Sequence, residues 1–385
     1  MSALAEVSEF PLRNNRTDDE TDSVFLLSRR QTSIRTSGVV EEFDSAFDAA
    51  EALKTGRIDS VVGALPFSPE TPSALTAPLS FTRVHGDLYH SNIPTLPTSR
   101  VAEFEPSPQI HTDRVRGAVT RLRAGELDKV VLARSLTIEA ESTISPSALA
   151  EKLIALDHAH NGFCVDLSPA GGKYRGRSLV GSTPEVLIER RGDVVTCHPL
   201  AGSIARHPNS EQDEANAEQL RASTKDLAEH AFVVDSISAI LGPLCTSFTA
   251  PGAPELLRTP QLWHLGTKIE GVLIDPSVTS LELAMALHPT PAVCGTPTVA
   301  AREHITATEA DRGFYAGAVG WCDRTGDGEW MVAIRCAEIA ADGLSARAYA
   351  GGGIVATSDP EIELRETSTK FRTLLSAFDL AEHQL

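Results

Sequence analysis

The chain has 385 residues, 42% of them hydrophobic and 22% charged, and a formal net charge of −18 from 52 acidic against 34 basic side chains. A chain of this size and composition can bury a substantial core, as one large α/β domain or as two or three smaller ones. The acidic balance argues against nucleic acid and anionic membranes as partners, and no apolar run approaches the ~18 residues of a membrane span.

Residues 1–22 are polar, lack the basic-then-apolar pattern of a secretory signal, and should be poorly ordered. Val24–Ser28 and Ser60–Leu65 predict strands, with a helix over Phe43–Lys54 between them and another strand over Leu79–Val84. Glu103–His111 predicts a surface connection and a weak internal boundary. Thr112–Ala124 follows as a helix with Val115, Val119 and Leu122 on one face. Lys129–Glu139 is apolar enough for a central strand. A helix over Ser147–His158 and strands over Phe163–Leu167 and Ser178–Gly181 come next. A hairpin over Glu185–Leu200 turns at Arg191-Gly192-Asp193. Residues 210–243 read as helix, divided at Ser223–Thr224. A strand over Lys268–Leu273, a helix over Leu281–Leu287 and a loop over His288–Pro297 follow. Strands over Tyr315–Cys322 and Glu329–Ile339 flank the turn DRTGDG. The intermixing favours a large α/β or α+β sandwich.

The last fifth of the chain combines GDGEWMVAIRCAEI, AYAGGGIV and the helix-like DPEIELRETSTKFRTLL. On a helix Glu363, Glu366 and Lys370 share one stripe, beside an apolar stripe of Phe371, Leu374, Leu375 and Phe378. Two carboxylates and an ammonium at a core border can hold a hard cation beside an anion. Alone, Glu366 and Lys370 are as readily a surface ion pair. The triple glycine at Gly351–Gly353 precedes a strand-like IVA, so it is no phosphate or dinucleotide loop. His230 has no second histidine at metal-ligand spacing and reads as structural. The six cysteines include no CxxC pair. They read as free thiols in a reducing cytoplasm rather than zinc ligands.

Seven segments then stand in one order: DKVVLARS, GSTPEVLIER, PLAGSIAR, KDLAEH, LHPTPAVCGTP, GEWMVAIRCAEI and RETSTK. In that order they resemble the chorismate-binding enzymes, densely over residues 112–380 and loosely before that. The family includes isochorismate synthases, salicylate synthases and the large subunits of anthranilate and aminodeoxychorismate synthases. The motifs are most similar to those of the isochorismate synthases. The resemblance implies one large domain over 23–385, built of two associated α/β halves with stacked sheets flanked by helices. It also implies Mg²⁺-dependent conversion of chorismate to isochorismate, with isochorismate-using enzymes as downstream partners.

That reaction adds water at C2 while the C4 hydroxyl leaves, so it needs a base on one face of the ring and an acid on the other. Lys129 heads an apolar strand, where burial favours the neutral amine, a useful base. Glu185 follows Pro184 at a strand start and, if desolvated, stays protonated to serve as the acid. The family pattern implies Glu229 and Glu366 as Mg²⁺ ligands, with Glu363 direct or through water. A metal on these carboxylates turns repulsion of an anionic substrate into attraction. Arg335 and Lys370 suit the enolpyruvyl carboxylate, with the Ser203 hydroxyl and the backbone at Gly202, Gly351 and Gly353 completing the anion site. His288 is expected at the substrate. Ala201 stands where aminodeoxychorismate synthases carry the lysine of a PIKGT motif, which leaves room for water. Tyr315 and Ile334 point in opposite directions. The tyrosine is common where pyruvate is then eliminated, as in salicylate synthases, and the isoleucine is common in isochorismate synthases.

Overall fold

Runs rich in Val, Ile, Leu and Ala become strands here, and the α-helices, apart from the one that follows Pro297, start where a capping side chain holds a first-turn N–H. The computed structural model describes residues 23–86, 88 and 93–381, and the N-terminal segment 1–22 lies outside them. The chain opens with β1 (Ser23–Ser28), β2 (Thr32–Phe43), α1 (Ala46–Lys54), β3 (Ser60–Leu65) and β4 (Ala74–His85). Next come β5 (Ser99–Glu105), α2 (Pro108–Arg123), β6 (Lys129–Ala140), α3 (Pro146–Leu156), β7 (Gly162–Asp166) and β8 (Ser178–Gly181). The middle holds β9 (Val186–Arg191), β10 (Val194–His198), β11 (Leu200–Ala205), α4 (Ser210–Ala222) and α5 (Thr224–Leu241). It continues through β12 (Cys245–Thr249), β13 (Glu255–Arg258), β14 (Leu262–Gly266), β15 (Ile269–Leu273), α6 (Ser280–Leu287), β16 (Gly295–Thr296) and α7 (Thr298–Thr308). The chain closes with β17 (Ala318–Asp323), β18 (Gly328–Val332), β19 (Cys336–Ile339), β20 (Ser345–Ile354) and α8 (Pro360–Ala377).

The strands form one long antiparallel path. From one end it runs β12, β15, β10, β9, β18, β17, β3, β4. It crosses from β4 to β2 and continues through β1, β7, β8, β19, β20 and β6. There β5 and the short β16 share the remaining side of β6. The path folds back on itself. One core cluster joins Val62, Val319 and Trp330 from the first half to Leu132, Phe163 and Leu179 from the second. A second cluster packs α3 and α8, through Leu149, Leu153, Phe371 and Leu374, on the outer face of the second half. A separate three-stranded sheet, β11–β14–β13, lies against α5.

The expected α/β fold of two associated halves is thus present, with local differences. Glu103–His111 is not a surface connection: its first residues end β5, which pairs with β6, and the rest begins α2. Ser107 caps that helix and Pro108 sits in its first turn, where a missing N–H costs nothing. The expected strand over 329–339 is two strands, because the chain breaks at Ala333–Arg335 and Arg335 takes φ +52°. The helical stretch over 210–243 divides at Ser223, as the sequence predicts, and the Ser223 hydroxyl caps α5. With the turn after it, Thr224–Leu244 has the length and composition to cross a membrane, unlike the sequence expectation. Here it is a helix of the fold, with Glu229, His230, Val233, Ile237 and Leu241 buried.

Candidate active site

Strand pairing brings the start of β6 beside the end of β20, with Val131 opposite Gly353. The N-terminal half of α8 and the first turns of α5 close over this end of the sheet. The bend before β9, the bulged start of β11 and the break between β18 and β19 supply the other walls. Together they enclose a cavity of roughly 670 Å³, mouth included. Its walls include Glu185, Ala201, Gly202, Ser203, Glu229, Tyr315, Ile334, Arg335, Gly351, Gly353, Glu366 and Lys370.

Two of the glycines are there because nothing larger fits. A Cβ on Gly353 would lie 2.0 Å from Glu229 Oε1 and 3.0 Å from Lys129 Cε. A Cβ on Gly351 would lie 2.7 Å from the Tyr315 hydroxyl. The backbone of β20 therefore approaches the charged groups directly.

Each of three carboxylates faces one lysine. Lys129 Nζ, fully buried, lies 3.0 Å from Glu229 Oε1, at an angle too oblique for a regular hydrogen bond. Lys225 Nζ donates to Glu363 Oε1 at 2.7 Å. Lys370 Nζ donates to Glu366 Oε1 at 2.5 Å and to the Gly351 carbonyl at 2.7 Å. Ser203 Oγ reaches Glu366 Oε1 at 3.4 Å. Burial pushes the Glu185 carboxyl up to about 7, against the Leu200 N–H and the positive charges of Lys129, Arg335 and Lys370. Burial and the neighbouring Glu366 push Glu363 up to about 7, against Lys225. Burial would raise Glu229 too, but Lys129 and Lys225 hold it below the ordinary carboxylate value. Arg335 is buried, and burial lowers it only to about 10, so it remains a cation.

The donor set fits a hard divalent cation. Glu229, Glu363 and Glu366 offer only oxygen, and Glu363 Oε2 is buried with no hydrogen-bond partner. Among the described residues no three acidic, histidine or cysteine side chains are already gathered as a metal cage. The carboxylates are instead spread along Gly352 and Gly353 and turned toward their lysines. A cation here would keep waters and substrate oxygens in its shell, as Mg²⁺ prefers.

The structure brings most of the expected residues together. Lys129 and Glu363 sit one layer behind the cavity wall, against Glu229 and Lys225. His288 is a correction: it does not line the cavity, and its Nε2 contacts the Pro66 carbonyl at 3.0 Å. Ala292 and Val293 of the same loop reach the wall in its place. Sequence reasoning missed His264 on β14 and Tyr349 on β20, which also line it. The Tyr349 ring stacks on Tyr315, with centroids 4.9 Å apart and planes 8° apart. Their signals were weak, because His264 belongs to a sheet with no clear alternation and Tyr349 precedes the triple glycine that dominates its segment.

A family model described as chorismate binding enzyme matches residues 82–379. The MenF protein of Mycobacterium tuberculosis is 44% identical over 365 residues, covering 93% of this chain and 96% of that protein. The isochorismate synthase DhbC of Bacillus subtilis is 43% identical over 347 residues, covering 85% of this chain and 84% of that one. The solved structure of DhbC from Bacillus anthracis superposes with a TM-score of 0.86 at 36% identity, covering 94% of this chain and 98% of that one.

Proposed function

The chain belongs to the chorismate-binding enzyme family, and we infer that it isomerises chorismate to isochorismate, adding water at C2 while the C4 hydroxyl leaves. The observation that carries the reading is one cavity in which buried Glu185, with a carboxyl near 7, lies within the field of buried Lys129. Lys129, as the neutral amine, takes the proton of the attacking water, and protonated Glu185 gives its proton to the departing hydroxyl oxygen, which leaves as water. Arg335 grips the enolpyruvyl carboxylate, and Lys370 adds a second positive charge. The Ser203 hydroxyl and the backbone at Gly202, Gly351 and Gly353 complete the anion site, and Ala201 leaves space for the water.

Glu229 and Glu366 would hold Mg²⁺, with Glu363 direct or through a water. When bound, that ion supplies charge that fixes the ring carboxylate and offsets charge in the transition state. We read residues 23–385 as one catalytic domain, because the site draws on residues from 129 to 370. The six free cysteines support a reducing cytoplasm as its compartment, and the product calls for an isochorismate-consuming enzyme downstream. The test is incubation with chorismate, with and without Mg²⁺, followed by chromatography. Isochorismate should form only with the metal. Unconsumed chorismate in the presence of Mg²⁺ would overturn the reading.

Activity should fall as pH rises through about 7, because the acid must carry its proton. The same shift bears on stability. The folded-state value of Glu185 is raised, so its contribution is present in full below the unfolded value and lost as pH rises through about 7. Glu185→Gln should therefore be inactive, yet melt a few degrees higher relative to the parent at pH 8 than at pH 5. A parent kcat/KM that stays flat from pH 6 to 9 would contradict this assignment.

The opposing clues at Tyr315 and Ile334 lead to a product test. Both side chains line the cavity beside Arg335, and a β-branched isoleucine is stiff where leucine is not. The parent should release isochorismate with at most a trace of salicylate. Ile334→Leu should raise the salicylate fraction severalfold, measured by fluorescence of the separated product. A parent that turns chorismate almost wholly into salicylate and pyruvate would show that Tyr315 outweighs Ile334.

A further inference from the structure

Sequence spacing leaves His230 as a lone structural histidine, but its two ring nitrogens are both committed. Nδ1 lies 3.2 Å from the Ala201 carbonyl and Nε2 lies 2.7 Å from Thr267 Oγ1. A carbonyl can only accept, so Nδ1 carries the hydrogen. The tautomer with its hydrogen on Nδ1 leaves Nε2 as the acceptor for the threonine hydroxyl.

Ala201 sits in a bulge. The β11–β14 register shifts by one residue between Leu200 and Ser203, and Gly202 takes φ +81°. Three groups of the site hang on this short segment. The Leu200 N–H is on the side of the Glu185 carboxyl and acts to lower its value, Ser203 Oγ reaches Glu366, and Gly202 lines the cavity. A Cβ on Gly202 would meet Asp226 Cβ at 2.9 Å, so the segment is pressed against the α5 face that carries Asp226 and His230. In a trans peptide the carbonyl and the following N–H point opposite ways. With the Ala201 carbonyl drawn toward α5, the Gly202 N–H faces away from that helix.

We propose that His230 is a positioning residue that holds the Ala201–Gly202 peptide in one orientation, keeping the Gly202 N–H turned to the substrate anion and the Leu200 N–H on Glu185. The proposal rests on the reading of Glu185 as the acid. It adds a role for a side chain that touches neither substrate nor metal. A bulge has no continuous ladder to fix its peptides, so an external donor at Ala201 does what a neighbouring strand does elsewhere.

The amide of asparagine can stand in for the Nδ1 hydrogen, whereas that of glutamine reaches the Nε2 position. His230→Asn should keep KM for chorismate within about threefold of the parent. His230→Gln should raise KM about tenfold or more, since small displacements of aligned groups are costly. His230→Gln should also move the descending limb of the pH profile upward, because the Leu200 N–H that lowers the Glu185 value is lost. Mg²⁺ affinity measured by calorimetry should be unchanged in both variants, which separates this role from disturbance of adjacent Glu229. Equal damage in both variants, or parental KM and pH limb in His230→Gln, would overturn the proposal. Loss of activity in Glu185→Gln with unaltered behaviour of His230→Gln would sink this inference alone. Should His230→Gln not fold, Thr267→Val decides the matter. It frees the ring to swap its hydrogen, and should raise KM about threefold with the same upward move of the pH limb, whereas a parental profile overturns the proposal.

Discussion

Lys129→Ala should lower kcat for chorismate isomerisation by about 10³-fold while leaving chorismate binding measurable, since a positioned base contributes roughly 10²–10⁴. Lys129 opens β6 with no exposed surface and faces Glu229 at 3.0 Å without completing a regular hydrogen bond. Its amino group is therefore not locked to the carboxylate, and as the neutral amine it has a lone pair free to take a proton just behind the cavity wall. Alanine removes the base and leaves a buried carboxylate with one fewer partner nearby. Glu229 still has Lys225 and Lys370 in its field, so the loss of stability should be smaller than the 3–5 kcal/mol typical of breaking an isolated buried pair. Lys129→Met, which fills the same space, should be equally inactive and better folded. Product formation under saturating chorismate and Mg²⁺, alongside a melting curve, makes the measurement. Turnover within about tenfold of the parent in Lys129→Met would remove Lys129 from the chemistry.

Gly353→Ala should be nearly as damaging, although it adds one methyl. That methyl would stand 2.0 Å from Glu229 Oε1, well inside contact distance, with the Lys129 chain at 3.0 Å closing the other side. Glu229 is held on α5, so it cannot swing clear without abandoning either Lys129 or the metal position. Mg²⁺ affinity should fall at least about tenfold and kcat/KM about 10³-fold. The next glycine supplies the control. A Cβ on Gly352 would meet Glu363 Oε2 at 3.5 Å and Glu366 Oε1 at 3.8 Å, ordinary contacts. Gly352→Ala should therefore bind Mg²⁺ within about threefold of the parent, by calorimetry. Equal Mg²⁺ affinities in the two variants would show that the close approach of β20 to Glu229 is not what sets the site.

Much of this site was legible because its residues sit in regular elements. The 3.6-residue stripe placed Glu363, Glu366 and Lys370 together, and the apolar run after Lys129 marked a central strand. The triple glycine stood out as a place for close backbone approach. Other parts carried no such signal. The sheet of β11, β13 and β14 is built from short strands, with Pro260 in the turn between β13 and β14, so its contribution of His264 stayed hidden. The break that aims Arg335 falls in WMVAIRCA, a stretch without glycine or proline to mark it. Only the tertiary fold makes an arginine accept φ +52° there. His288 failed for a related reason: its motif located the loop, but the ring's direction depends on Pro66, far off in sequence.

The pairing of β3 with β17 also bears on how the chain is made. Leu65 meets Ala318, about 250 residues further along. During synthesis β3 emerges early and can pair with β4 at once, but its other edge has no neighbour until most of the protein has left the ribosome. That edge runs through SVVGAL, every residue of which ends up buried. A growing chain thus carries an apolar, unpaired strand edge for most of its translation, a template for association with other chains. Releasing the chain before β17 should yield a product that aggregates or is retained by chaperones rather than a smaller folded unit, because the first half of the sheet path is closed only by strands from the last quarter.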